Sequence, residues 1–319
     1  MKGIYSLIIA VIIITAVIAP LRVINTGTER RGGSVKTVVS DGTFRVLDSK
    51  TGKIEKVEER DYVIGVLAGE MSPDNEKEAL RAQAVAAYTF ACYKREAARK
   101  SGAEYDLTSD PSTDQYYVSK TEQVALWQKN YEKNRTALEE VTDSVKGKLL
   151  TFGGEPILAA YHSVSSGKTE EASTVWGGNY PYLVSVESSS DLLAPDYLST
   201  PSFTSKEFAD KALDLGITLV GEPKDWLTEP ERSKTGTVLK YKLAGHEVKG
   251  SEMRKAFGLA SANFDLTYTK EKFCFTVRGR GHGVGMSQYG AVHMASQGSS
   301  YEEILAWYYP NTVLLTKDK

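Results

Sequence analysis

Five glycines, two arginines and one histidine fall within Val277–Ala291, the stretch VRGRGHGVGMSQYGA. A glycine-rich loop ahead of a helix can cradle phosphate through backbone N–H groups and the helix dipole. GRGHGVG fits neither the GxGxxG nor the GxxxxGK[ST] spacing, however, and no lysine follows to reach a phosphate. The other chemistry such a loop offers is a cleft lining, in which small residues admit a bulky ligand and His282, Ser287 and Gln288 supply polar contacts. A second polar cluster, YHSVSSGKTE, holds His162, Ser163, Ser165, Ser166, Lys168, Thr169 and Glu170. A Ser/His hydrolase would need a nucleophile–base pair, but adjacent side chains on a strand point to opposite faces, and the chain has no GxSxG elbow. This cluster reads as a polar binding loop. The third candidate is Glu70, between Gly69 and Met71 at the seam of two helical patterns. The end of the preceding helix and apolar neighbours raise the pKa of such a carboxyl, whereas the start of a following helix lowers it.

The elements that position these groups follow from pattern. DYVIGVLAGEM reads as a short apolar helix with Asp61 as N-cap. Ser72-Pro73 reads as the N-cap and N1 of the strongest helix, which runs through EALRAQAVAAYTFACYKREAARK to Gly102 and whose many alanines predict close packing in a central, buried position. TVVSDGTFRVLD predicts a hairpin about Asp41-Gly42, and SKTGK a further turn before Ile54. YDLTSDPSTDQYY is a polar, aromatic loop. Helical segments follow over 121–133 and 135–143, and KLLTFGGEPILAAYHS is strand, Gly-Gly turn, strand. Phe203–Leu215 reads as a helix, TVLKYKLAGHEVKG and FCFTVRG as strands, and Ser300-x-x-Glu303 as the capping box of a last helix ending before Pro310. His246 falls in a solvated turn, and His293 reads as a core histidine. Strands and helices mix without strict alternation, so the fold class expected is α+β.

With 41% apolar and 25% charged residues over 319 positions, the chain can bury a substantial core. Lys plus Arg number 39 against 41 Asp plus Glu, with no basic stripe, which argues against a nucleic-acid partner. The two cysteines, Cys92 and Cys274, lie far apart in apolar contexts and read as buried free thiols, with no CxxC or Cys/His spacing for zinc. Ile4–Leu21 is uncharged and about 27 Å long as a helix, enough to span a bilayer core. Pro20 behind Ala19 would obstruct a signal peptidase, so an uncleaved anchor is expected, followed by a flexible tether over Asn25–Lys36.

GEMSPDNEKEALRAQAVAAYTF, YHSVSSGKTE…VWGG…PYLVSVES, GSEMRKAFGLASANF and GRGHGVGMSQYGA…ILAWYYPNT together resemble the stage II sporulation protein D family, in order, from Asp61 to Thr312. The resemblance implies a membrane-anchored lytic transglycosylase that degrades peptidoglycan glycan strands in sporulation. It places Glu70 at the catalytic position, and the substrate contacts at Tyr88, His162, Ser163, Ser165, Ser166, Tyr182, His282, Ser287 and Gln288. On that reading the loop glycines let a glycan strand approach the backbone opposite Glu70. Tyr88 and Val184 stand where many relatives carry basic residues of the substrate cleft. Thr108, Thr113 and Asp114 stand where some relatives hold zinc through Cys and His, so no metal or other cofactor is expected. The implied partners are other engulfment proteins, including a membrane-bound amidase. A non-catalytic wall-binding module that enhances an amidase is the alternative.

The organisation expected is a cytoplasmic tip and transmembrane anchor over 1–22, a linker over 23–36, and one α+β domain with a long cleft over 37–316, outside the cell membrane. Charge bias alone favours the opposite topology, with Lys2 before the span and Arg22, Arg30 and Arg31 behind it; the need to reach an external substrate decides otherwise. Protease added to intact protoplasts is therefore expected to degrade the body of the protein, and full protection would contradict this topology.

Overall fold

The computed structural model describes residues 41–316. The anchor, the tether and the first run of the Asp41-Gly42 hairpin lie outside the described residues. Among the described residues, no helix is long and apolar enough to cross a membrane.

Strands β1 (Thr43–Leu47) and β2 (Ile54–Glu58) pair antiparallel, Leu47 opposite Ile54. The Asp48 carboxylate closes their connection by accepting from Lys50 N–H at 2.8 Å and Thr51 Oγ1 at 2.8 Å. The expected turn at SKTGK is thus present. Helix α1 (Glu59–Glu70) follows at once, and its Tyr62–Ala68 segment is buried on every side. Helix α2 (Lys77–Ser101) begins later than Ser72-Pro73 suggests. Ser72 Oγ accepts from Asp74 N–H at 3.3 Å and its carbonyl from Asn75 N–H at 3.0 Å, so Ser-Pro here closes a turn instead of opening a helix. The helix ends where expected, at Gly102 in the left-handed region with φ +72°. Ala79, Ala82, Ala84, Ala86, Ala87 and Ala91 are all buried, and α2 is the central helix of the larger core.

The rest of the chain surrounds that helix in mixed α+β fashion. Strand β3 (Leu107–Thr108) joins β1 in parallel. Helices α3 (Lys120–Trp127) and α4 (Tyr131–Ser144) lead to β4 (Lys148–Phe152) and β5 (Glu155–Pro156), joined through Gly153-Gly154. Strand β6 (Tyr161–His162) and the one-turn helix α5 (Ala172–Val175) follow. Next come β7 (Leu198–Ser199), β8 (Ser202–Thr204), α6 (Ser205–Asp214), β9 (Glu231–Arg232), β10 (Val238–Leu243), β11 (His246–Lys249), α7 (Gly250–Phe257), β12 (Phe264–Thr269) and β13 (Lys272–Arg278), and buried side chains of this stretch form a second hydrophobic cluster. Phe208, Trp226 and Phe273 stack at its centre. The chain then returns to the larger core as β14 (Met286–Ser287), α8 (Gln288–Ser296), α9 (Tyr301–Tyr308) and β15 (Val313–Thr316), the last pairing with β4. The Ser300–Glu303 capping box is present as read. Cys92 is buried and Cys274 half-buried, both as free thiols. His246 opens an exposed strand, and His293 is half-buried on α8 and no core residue.

Two close approaches fix one side of α1. A Cβ on Gly65 would come within 2.4 Å of the Tyr117 ring, and one on Gly69 within 2.4 Å of the Tyr116 carbonyl oxygen. The bare helix face is what lets the segment 115–118 lie against α1, where Val118 N–H bonds the Gly65 carbonyl at 3.1 Å. Gly69→Ala is accordingly expected to force backbone apart and to destabilise the fold by about 1–3 kcal/mol in denaturant unfolding. An unchanged midpoint would show that the segment does not depend on this contact.

Candidate active site

Glu70 is the last residue of α1, and its carboxylate faces a cleft of about 680 Å³. Oε1 accepts from the Tyr116 N–H at 3.0 Å, and Oε2 accepts from Gln288 Nε2 at 3.2 Å. The segment that crosses the bare face of α1 therefore delivers one donor, and the first residue of α8 delivers the other. The nearby Tyr161 hydroxyl gives its proton to Gln115 Oε1 at 2.9 Å. These donors lower the pKa of Glu70, but burial outweighs them and holds it above the usual carboxylate value. Helix α2 starts only at Lys77, so no helix begins directly after Glu70.

The glycine-rich loop is shaped by its packing against a second loop. Gly279, Gly281, Gly283 and Gly285 all have positive φ, and each packs its bare α-carbon on the 160–170 segment. A Cβ on Gly285 would sit 2.0 Å from the Ala160 carbonyl oxygen, and one on Gly281 2.7 Å from His162 Cβ. The bare α-carbons are thus required for loop packing, while Gly281 also lines the cleft. They let two polar loops interlock, and the interlocked loops form the cleft wall.

Two imidazoles sit in that wall with ring centroids 5.8 Å apart. His162 Nδ1 lies 3.1 Å from the Val284 carbonyl oxygen, which can only accept, so Nδ1 carries the proton; Nε2 is buried without a hydrogen-bond partner. His282 Nδ1 accepts from Val284 N–H at 3.1 Å. Burial holds His162 down to about 4 and His282 down to about 3, the latter helped by the neighbouring His162 and Arg254, so both rings are neutral at physiological pH. No serine hydroxyl bonds either ring among the described residues, which leaves no Ser–His nucleophile.

The other expected contacts divide. Ser163 lines the cleft. Ser165 and Ser166 line an adjoining smaller cavity, with Ser165 Oγ occupied by the Gly167 N–H at 3.1 Å. Gln288 lines the cleft, but its amide serves Glu70 directly. Ser287 is no substrate ligand: fully buried, it caps α8 by accepting from Gly290 N–H at 3.1 Å. Tyr88 is not in the cleft either. At roughly 100° per residue it lies about 200° round α2 from Phe90, which does line the cleft; its hydroxyl donates to Glu59 Oε2 at 3.0 Å. Tyr182 is buried beside Phe152 and Tyr180, its hydroxyl accepting from Leu158 N–H at 3.2 Å. Val184 lines neither cavity, and its carbonyl accepts from Thr169 Oγ1.

Thr108, Thr113 and Asp114 do not form a zinc set. Asp114 Oδ2 accepts from Thr108 N–H at 2.8 Å, and Oδ1 pairs with Lys94 at 2.6 Å, so an ammonium already occupies the only anionic donor. Sequence reasoning passed over Tyr116, Tyr161 and Trp176. Trp176 stands partly exposed at the mouth and meets the His282 ring at 4.9 Å; the signal for it was a tryptophan in a glycine-rich loop, where nothing local buries it.

The model of the family described as Stage II sporulation protein matches residues 47–152. Stage II sporulation protein D of Bacillus subtilis (strain 168) is 38% identical over 297 residues, covering 90% of this chain and 82% of that protein. The chain belongs to the stage II sporulation protein D family. The Bacillus amyloliquefaciens protein of the same name is 35% identical, covering 89% of this chain and 82% of that protein. A more distant family relation reaches the Bacillus subtilis amidase enhancer, 29% identical over 78% of this chain and 40% of that protein.

The raised pKa makes a stability prediction with a definite sign. The folded state holds the Glu70 proton more tightly than the unfolded state, so the stability it contributes is full below the ordinary value of 4.5 and is lost as pH rises through the folded value. Glu70→Gln is expected to raise the unfolding free energy at pH 7 and to leave it nearly unchanged at pH 4. A loss of stability at pH 7 would contradict burial as the dominant effect.

Proposed function

We propose that this chain is a membrane-anchored lytic transglycosylase that cuts peptidoglycan glycan strands between MurNAc and GlcNAc during sporulation, with Glu70 as its single acid and base. The observation that carries the reading is a half-buried carboxyl whose pKa desolvation raises, held by a backbone and a side-chain amide donor in a cleft. In its protonated form Glu70 gives a proton to the glycosidic oxygen, so the leaving sugar departs with a free hydroxyl. As the C1–O bond breaks, the C6 hydroxyl of the same MurNAc attacks C1, and its proton passes to the Glu70 carboxylate. The product carries a 1,6-anhydro ring, no water is consumed, and Glu70 ends protonated as it began. Neutral His162 and His282 cannot replace it as acids, and the Trp176 face suits a sugar ring.

A hydrolase would need a second carboxylate to act on water or on C1. Asp114 lines the same cleft, but one of its oxygens accepts from the Thr108 amide and the other pairs with Lys94. Glu170 lines the adjoining cavity, where its Oε1 accepts from the hydroxyls of Ser233 and Thr235. The reading also places the anchor in the cell membrane, the domain outside it, and an engulfment amidase among the partners. The likeness to an amidase enhancer supports the alternative of a non-catalytic module that binds wall and stimulates that amidase. The departure at Tyr88 lends this alternative little, because Tyr88 lies away from the cleft.

Glu70→Gln is expected to lower the cleavage rate by about 10²–10⁴-fold, with Glu170→Gln mild and Asp114→Asn milder than Glu70→Gln. The wild-type rate is expected to fall as pH rises through the raised Glu70 pKa. Comparable losses in Glu70→Gln and Asp114→Asn would favour a two-carboxylate hydrolase, and a wild-type protein without activity on any glycan would favour the enhancer.

A further inference from the structure

Beside the Glu70 cleft lies a smaller cavity of about 200 Å³, and the two share Trp176, Gly281 and His282 as a common wall. Its far side is built from Ser251 and Arg254 of α7, Thr237, the 261–263 segment and Arg278 of β13. Three cations line it: Lys168, Arg254 and Arg278. Lys168 is paired with Glu187 at 2.6 Å, and Arg278 with Asp265 at 2.6 Å. Arg254 differs. It is half-buried in the last turn of α7, and among the described residues no carboxylate lies within ion-pair distance of it. Among the described residues its side chain makes one hydrogen bond, from Nε to the Leu259 carbonyl at 3.4 Å, which leaves both terminal nitrogens of the guanidinium without a protein acceptor there. The one carboxylate in the cavity, Glu170, is engaged by Ser233 and Thr235.

An unpaired, partly desolvated guanidinium is costly in a folded protein unless an anion completes it. The environment confirms the cost. Burial and the like charge of Arg280 both push the pKa of Arg254 down, and no acid offsets them. Guanidinium donors in a fixed fork match a carboxylate in bidentate fashion. The hydroxyls of Ser251 and Thr237, which make no hydrogen bond among the described residues, lie in the same lining.

We propose that Arg254 is the anchor of a carboxylate-binding subsite that recognises an acidic substituent on the glycan strand in the adjoining cleft. The identity of that ligand rests on the glycan-cleaving function proposed above. The amino-sugar backbone itself carries no charge, so the carboxylate belongs to the lactyl group of muramic acid or to a stem peptide attached to it. The cavity, far smaller than the cleft, holds such a substituent and not another sugar ring. The site would thus fix which sugar of the alternating pair sits on each side of Glu70, since only one sugar carries the acid.

The test uses Glu70→Gln protein, so that ligands stay intact, and measures dissociation constants for three strands of matched length: denuded MurNAc–GlcNAc strands, peptide-bearing strands and uncharged chitin oligomers. Adding Arg254→Met is expected to weaken binding of a carboxylate-bearing strand by about 10–100-fold, the worth of a charge-assisted hydrogen-bond pair, and to leave chitin binding unchanged. Loss on denuded strands assigns the lactyl carboxylate; loss confined to peptide-bearing strands assigns the peptide. Arg254→Lys should recover part of the loss. The melting temperature of Arg254→Met is expected to be unchanged or higher, because an uncompensated charge is removed, whereas a structural role would lower it. Equal weakening for chitin and acidic strands, or no weakening at all, overturns the proposal. If no strand binds, the glycan reading fails first, and the subsite is then tested with free N-acetylmuramic acid against N-acetylglucosamine by chemical-shift titration. Arg254-dependent binding of the acidic sugar alone upholds the anion site, and its absence overturns it.

Discussion

The site depends on one constraint: the carboxylate of Glu70 is held between a backbone amide and a side-chain amide that come from opposite ends of the fold. Tyr116 N–H reaches Oε1 because Gly65 and Gly69 leave one face of α1 bare for the 115–118 segment. Gln288 reaches Oε2 because Ser287 caps α8 and fixes where that helix begins. Neither contact exists without the close packing of α2, whose alanines bring α1 and α8 against a common core. A carboxyl placed this way is oriented but still desolvated, and desolvation prevails, so it holds its proton more tightly than an exposed glutamate does.

The glycine loop serves the same end indirectly. Alternating left-handed glycines let the 279–285 loop interlock with the 160–170 loop, so that two irregular segments form a rigid wall without a regular sheet. For the acid–base role proposed for Glu70 a well-defined wall matters, because a misplaced acid loses much of its advantage. The two imidazoles in the wall are locked through one residue, Val284, by opposite hydrogen bonds to its carbonyl and its amide. They act as fixed neutral dipoles, whereas burial raises the pKa of Glu70 above the usual carboxylate value.

Much of this was legible in the chain. The α+β class, the Gly102 terminus, the alanine-rich central helix, the Gly153-Gly154 turn and the Ser300 cap all rest on local rules and stand in the structure. Glu70 was visible as a carboxyl at a helix seam, although the seam is a turn: Ser-Pro satisfies turn and N-cap chemistry equally well, and only tertiary packing chooses. The misassigned contacts failed for a different reason. Tyr88 and Tyr182 have the composition of sugar-binding residues, but helix phase and a buried hydroxyl partner direct both inward. Ser287 followed a glycine loop and looked exposed, yet it is a cap. Arg254 carried no local signal at all, since its lack of a counter-ion is a statement about what does not fold next to it.

The central claim is that one carboxyl performs both proton transfers and that the sugar supplies its own nucleophile. Mass spectrometry of the ends generated when residues 22–319 are incubated with purified glycan strands tests this most directly. The account predicts fragments one water lighter than hydrolytic products, carrying 1,6-anhydro ends and no new reducing ends. Fragments at the hydrated mass with reducing ends would contradict it.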